Sequence, residues 1–191
     1  IGDGSFSNSV VTNQDAELRK KIIAAAEKAG GTACESFPKD RCACVRTQGL
    51  RDLFRSHGVQ ETTSGDKFVP EAVFKASNKS VRDFLYAYLM CDGTLKRGGI
   101  SYTTKSTRLA KDIQRLFLRF AVRVNLRPVT LRTGPYAGNV YWFGYIQSSS
   151  QVRKVLNLFS WDKKHSWPGD SSFGNPNTDL VPKQWRKLYP K

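Results

Sequence analysis

The feature that most constrains this chain is that it repeats itself. Asp3-Gly4-Ser5 returns as Asp92-Gly93-Thr94, and Val10-Val11-Thr12 is matched by Ile100-Ser101-Tyr102-Thr103, each a short strand candidate. An amphipathic helix follows in both places. Leu18, Ile22, Ala25, Ala26 and Ala29 share one face of the first, and Leu109, Ile113, Leu116, Phe117 and Phe120 share one face of the second. All five pairs lie 91 residues apart. Strand-like stretches come next, Ala43–Val45 in the first half, Val129–Leu131 and Val140–Ile146 in the second. Helices holding Leu50, Leu53 and Phe54, and Val152, Val155, Leu156 and Phe159, precede the Val-Pro steps Val69-Pro70 and Val181-Pro182. An insertion around Thr133–Asn139 accounts for the longer second half. The pattern predicts an α+β chain: an αββαββα module duplicated about a pseudo-two-fold axis, with halves at 1–79 and 80–191.

The segment suited to that axis runs from Val81 to Gly93. Ala87 and Cys91 are four apart, so they fall on one helical face, where small side chains let two helix backbones approach. The helix is expected to stop at Gly93, which leaves Asp92 in its last turn. A carboxylate there meets the negative end of the helix dipole. Asp3 repeats the arrangement, and side-by-side helices would bring both acids to one spot. Two close carboxylates repel unless a cation or a proton intervenes, so the pair predicts a cation nearby.

Charge narrows the partners. Residues 1–70 carry 10 basic and 9 acidic side chains, whereas residues 71–191 carry 21 and 7. An excess concentrated in one half favours a polyanion. The basic residues spread over helix-like and strand-like segments alike, unlike the single basic amphipathic helix of a membrane-surface protein. No apolar run approaches the length of a membrane span and no signal-peptide pattern opens the chain. The expectation is a cytoplasmic protein, nucleoid-associated when bound, with no membrane partner. Cys34, Cys42, Cys44 and Cys91 lack the paired spacing of a zinc site and read as free thiols.

The stretch Leu85-Tyr86-Ala87-Tyr88-Leu89-Met90-Cys91-Asp92-Gly93 resembles the LAGLIDADG (dodecapeptide) motif of homing endonucleases, and Ile1-Gly2-Asp3-Gly4 looks like the tail of a first copy. Lys67-Phe68-Val69-Pro70 with Val81-Arg82-Asp83-Phe84-Leu85, and the run from Ser106 to Leu116, are similar to the blocks flanking the second motif in intein endonucleases. Residue 1 is Ile and the sequence ends Tyr189-Pro190-Lys191, so no splicing chemistry is expected from these residues alone; a parent splicing domain is expected outside them.

The resemblance implies two antiparallel sheets forming a DNA-binding saddle, with the LAGLIDADG helices at its axis. It implies Mg²⁺ (or Mn²⁺)-dependent cleavage of both strands of DNA by a monomer. Asp3 and Asp92 would hold the metal with the backbone carbonyls of Gly2 and Cys91. Lys67 matches a lysine that assists catalysis; the equivalent slot before the second Val-Pro is Asp179, for which Lys163 or Lys164 would substitute. Base reading is expected on the strands. In the first half the candidates are Ser5, Ser7, Asn8, Arg41 and Arg46. In the second they are Lys96, Arg97, Ser101, Tyr102, Thr103, Arg123, Asn125 and Arg127, with Arg132, Tyr136, Asn139 and Tyr141 beyond. Lys105, Arg108, Arg119, Lys163 and Lys164 are assigned to phosphates. The rival expectation is a catalytically decayed LAGLIDADG protein that binds DNA or RNA, as a maturase does.

Overall fold

Two four-stranded antiparallel sheets carry the chain, each backed by helices. The computed structural model describes residues 4–5, 9–37, 42–60, 63–96 and 99–159. The first sheet is built from β1 (Gly4–Ser5), β2 (Val10–Thr12), β3 (Thr32–Ser36) and β4 (Cys44–Gln48), in the order β1-β2-β4-β3. The second is built from β5 (Gly93–Lys96), β6 (Gly99–Thr104), β7 (Asn125–Thr130) and β8 (Val140–Ile146), in the order β5-β6-β8-β7. The two orders are the same, which is the duplication in three dimensions. Helices α1 (Ala16–Lys28) and α2 (Arg51–Ser56) accompany the first sheet. The short α3 (Glu71–Lys75) leads to α4 (Asn78–Asp92), and α5 (Thr107–Leu118) and α6 (Ser149–Phe159) accompany the second.

Helix starts follow local chemistry. Asp15 caps α1 by accepting from the amides of Glu17 and Leu18 at 2.9 and 3.2 Å. Ser77 caps α4 and Ser106 caps α5, each accepting an otherwise unpaired first-turn amide. Two elements depart from the sequence pattern. β3 reads Thr-Ala-Cys-Glu-Ser, too polar to register as a strand alone. Its five-residue pairing with β4 supplies what the side chains do not. β7 begins at Asn125, four residues before the expected strand, because pairing with β8 extends through Leu126 and Arg127.

The core sits in the second half. Val81, Leu85, Tyr88 and Leu89 on one side of α4 pack with Leu109, Ile113, Leu116 and Phe117 of α5 and with Val152, Val155 and Phe159 of α6. Burial of each large apolar side chain contributes roughly 1.5–3 kcal/mol. The repeat is weaker in the first half. Leu18 and Ala26 are buried, but Ile22 is half-buried and Ala25 and Ala29 are exposed. Ile22, Ala25, Ala26 and Ala29 line an apolar groove of about 660 Å³ together with Leu53 and Phe54 of α2 and Phe84 of α4.

Candidate nucleic-acid interface and acidic centre

Strand register decides which side chains each sheet presents. In the second sheet Tyr102 faces Gly144, and Ile100 faces Ile146. These residues point toward the helices, and Tyr102, Ile100 and Ile146 are buried. A β-carbon on Gly144 would lie 2.3 Å from the Tyr102 ring, so only glycine admits that ring. The alternate positions therefore make the open face. They are Thr94 of β5, Ser101 and Thr103 of β6, Asn125, Arg127 and Val129 of β7, and Tyr141, Phe143 and Tyr145 of β8.

Ser101, Thr103, Asn125, Arg127 and Tyr141 thus share one surface, where the sequence expectation put base readers. Tyr102 does not join them. It is 3% exposed and its hydroxyl donates to the Ala110 carbonyl at 3.2 Å, which corrects its assignment as a base reader. One residue along a strand reverses the side, and the sequence pattern alone did not settle the register. Phe143 and Tyr145 were not singled out from sequence, although their i, i+2 spacing with Tyr141 was a period-2 signal.

Arg132, Tyr136 and Asn139 occupy the β7–β8 connection, where Tyr136 is 61% exposed and Asn139 donates to its carbonyl at 3.1 Å. Arg123 lies in the link between α5 and β7, with its amide bound to Gln151 at 2.8 Å. Arg119 is not free for a phosphate. Its guanidinium donates to the carbonyls of Phe74 and Ala76 and to Asn78 Oδ1, clasping the end of α5 to the α3–α4 junction. Arg108 is likewise engaged, its guanidinium 4.5 Å from the centre of the Phe68 ring. In the first sheet Arg46 is exposed and registers with Val10, which in turn registers with Ser5, so all three positions share a face. Gly2, Asp3, Ser7, Asn8, Arg41, Arg97, Lys163, Lys164 and Asp179 lie outside the described residues. Lys96 is placed only as a β5 backbone position.

The acidic centre forms at the α4–β5 junction. Asp92 ends α4 and Gly93 opens β5, so helix and strand meet without a loop. A β-carbon on Gly93 would lie 2.3 Å from the Leu89 carbonyl oxygen, so this passage also requires glycine. Asp92 is half-buried. One turn back, the buried Tyr88 hydroxyl has no hydrogen-bond partner among the described residues. Burial first, and then the Asp92 charge, push that hydroxyl far above the ordinary tyrosine range. The donors here, one carboxylate and the carbonyls of a helix end, are hard oxygens that suit a magnesium-like cation. Asp3, the other acid expected to hold a cation, lies outside the described residues. No group of three or more His, Cys, Asp or Glu side chains is poised for a metal among the described residues.

Lys67 lies in the segment before α3. Its carbonyl accepts the Ser106 hydroxyl, while Val69 N–H donates to the buried Asp112 carboxylate at 3.1 Å. Lys67 lines the apolar groove beside Phe68. No helix among the described residues is long and apolar enough to cross a membrane.

Comparison with known proteins agrees with this geometry. Residues 79–159 match the model of a LAGLIDADG-like domain. The chain is 29% identical over 192 residues to the replication factor C small subunit of Methanocaldococcus jannaschii, covering 95% of this chain and 10% of that protein. It is 48% identical over 64 residues to a DNA gyrase of Mycolicibacterium flavescens, covering 31% of this chain and 12% of that protein. A third match, 28% over 139 residues, is to the replicative DNA helicase DnaB of Synechocystis, covering 66% of this chain and 16% of that protein. The chain thus spans a small part of the curated relatives it matches. Among solved structures it superposes on the homing endonuclease I-DmoI in complex with DNA and Mn with a TM-score of 0.56, at 14% identity over 80% of each chain. It superposes on the N-terminal LAGLIDADG domain of WhiA, also at 0.56, with 10% identity over 81% of this chain and 74% of that one. Two sheets of one strand order, joined at a helix ending in Asp-Gly, thus give the chain the fold of the LAGLIDADG homing endonucleases, and its residues 79–159 match a LAGLIDADG-like domain.

Proposed function

We propose that this chain is a site-specific endonuclease module that cuts both strands of duplex DNA, carried as an insert within a longer protein. The observation that carries this reading is the pair of sheets with one strand order, the second of which offers a polar, arginine-bearing open face beside the α4–β5 acid. Antiparallel ribbons of this kind fit the major groove and reach base edges there. The likeness to I-DmoI, which was solved with DNA and Mn, supports the same class of substrate.

In this reading Asp92 and Asp3 hold a divalent cation, with the carbonyls of Cys91 and Gly2 as further oxygen donors. When bound, such an ion lowers the pKa of attacking water and neutralises charge building on the phosphate. The protein's part is placement. α4 delivers Asp92 at a junction with no slack, and Lys67 offers a proton donor or a positive charge to the scissile phosphate. The halves are 1–79 and 80–191. The groove bordered by Ile22, Phe54 and Phe84 supports a helix before β1 lying where α4 lies in the other half. The insert reading, that of an intein's endonuclease, is supported by the relatives. Matching segments occur in a replication factor, a gyrase and a helicase, and make up only 10–16% of each.

A second reading, a LAGLIDADG protein that binds nucleic acid without cutting, draws on Asp179 standing where the repeat would place a second lysine. The test uses duplex DNA of the host gene joined across the insertion site, with each strand labelled and Mg²⁺ present. Cutting of both strands, lost in Asp92→Ala, supports the endonuclease. Binding of duplex DNA or of RNA without cutting supports the second reading, and failure to bind either overturns both.

A further inference from the structure

The open face of the second sheet carries one arginine, and it rests on two aromatic rings. Arg127 lies on β7, the edge strand, directly across from Phe143 of β8. An edge arginine is free to splay outward, toward the phosphate wall of a bound groove. This one leans inward. Its guanidinium carbon stands 5.1 Å from the centre of the Phe143 ring and 5.7 Å from that of Tyr145. The two rings are stacked with each other, 5.6 Å apart and 26° from parallel. They form a half-buried shelf over β8, and the exposed guanidinium rests on it. A flat cation on aromatic faces is a favourable and orienting contact.

The remaining chemistry of Arg127 is unspent. Its guanidinium makes no hydrogen bond or ion pair among the described residues. Arg119 and Arg19, by contrast, spend theirs on carbonyls, an amide oxygen and a carboxylate. Arg127 shares this face of the four strands with one other charged position, Lys96 of β5 at the opposite edge of the sheet. The aromatic contact restrains the side chain and leaves the N–H donors of an exposed guanidinium available to a ligand. In the major groove an arginine fork matches one base, guanine, whose O6 and N7 accept two parallel hydrogen bonds.

We propose that Arg127 reads a guanine in the target DNA, and that Phe143 and Tyr145 are positioning residues that hold its guanidinium over the sheet. This rests on the duplex-DNA reading above and adds a base and a mechanism to it. Holding the side chain before binding lowers the ordering cost of the contact. Lysine, a point charge without the planar fork, would not replace it.

The test is selection of a pool of randomised DNA duplexes by binding to the chain, with base preference measured at each enriched position. Wild type is expected to prefer guanine at one position by about 5- to 150-fold, the range of a good bidentate contact. Arg127→Ala and Arg127→Lys should flatten that position and leave the others. Phe143→Leu keeps the arginine but removes the flat shelf, and should reduce preference at the same position. Phe143→Tyr, which restores a ring, should recover it. A thermal melt of each variant separates this from unfolding, which would erode every position together. Uniform loss across all positions with a shallower salt dependence in Arg127→Ala marks a phosphate contact and overturns the proposal. A preference unmoved by Arg127→Ala overturns it as well. If no duplex is enriched, the DNA-binding reading itself falls and this inference falls with it.

Discussion

The buried carboxylate of Asp112 accepts the backbone N–H of Val69 at 3.1 Å. Val69 is two residues from Lys67, and Asp112 lies on α5, so a helix of the second half holds the segment that carries the candidate lysine. Ser106 adds a second tie through the Lys67 carbonyl, while its hydroxyl oxygen also accepts from Leu109 N–H at 3.0 Å to cap α5. The positions around Lys67 are therefore set by α5 rather than by their own loop.

Removing either tie should loosen that segment. Asp112→Ala leaves a buried amide without an acceptor and is expected to cost about 1–3 kcal/mol. Asp112→Asn keeps an acceptor and should cost less. Ser106→Ala loses a helix cap as well as the tie, about 0.5–2 kcal/mol for the cap alone. Urea unfolding curves give all three values, and an equal cost for Ala and Asn at position 112 would show that the hydrogen bond is not what matters.

The two buried tyrosines should respond oppositely to loss of their hydroxyls. Tyr102 donates to the Ala110 carbonyl, so Tyr102→Phe is expected to destabilise by about 1 kcal/mol. The Tyr88 hydroxyl is buried and has no partner among the described residues, so Tyr88→Phe should be neutral or stabilising. Thermal melts of the pair test this; a large loss in Tyr88→Phe would mean that its hydroxyl is satisfied after all.

Alkaline pH should unfold the protein through Tyr102. Burial raises its pKa well above the ordinary tyrosine value. The folded state then keeps a proton that the unfolded chain releases near pH ~10, so the unfolded state binds fewer protons and stability falls as pH rises. Below that pH this contribution is fully present. Tyrosinate absorbance followed against circular dichroism is expected to show a tyrosine fraction that ionises only with unfolding. Simple titration of every tyrosine ahead of the loss of structure would rule this out.

Gly144→Ala should be costly for a residue in a strand. The new methyl group meets the Tyr102 ring at 2.3 Å, and that ring packs edge-on against Tyr88 with centroids 5.6 Å apart. Overpacking of this kind typically costs about 1–3 kcal/mol. The double variant Gly144→Ala with Tyr102→Leu should recover part of the loss in denaturant titration, and strict additivity would refute the steric account.

Asp92→Asn is expected to abolish metal-dependent strand cutting while binding of duplex DNA persists. Folding stability should hold or rise by up to about 1 kcal/mol, because a negative charge leaves a helix C-terminus. A gel assay of cut and bound DNA beside a melt would show whether Asp92 serves chemistry or the fold; a collapse in stability with binding would point to the fold.

Much of the architecture was legible in the residues because it depends on local period and punctuation. The helical spacing of Leu109, Ile113, Leu116 and Phe117 needs only 3.6 residues per turn and an apolar driving force. Gly93 could be read as a helix end, and Ser106 stands in the ordinary place of a cap. β3 was not legible, because its polar side chains state no preference that its pairing with β4 would not override.

The candidate site divides along the same line. The sequence by itself determined the duplicated order of elements, the surplus of positive charge after residue 70 and the acid at the end of α4, since these are properties of composition and local spacing. Tertiary structure alone decided which face each strand residue occupies. That choice turned Tyr102 inward over Gly144 and laid Arg127 across Phe143 and Tyr145. The physical reason is that a strand alternates sides every residue, so its register with neighbouring strands, a non-local quantity, separates a base reader from a core side chain.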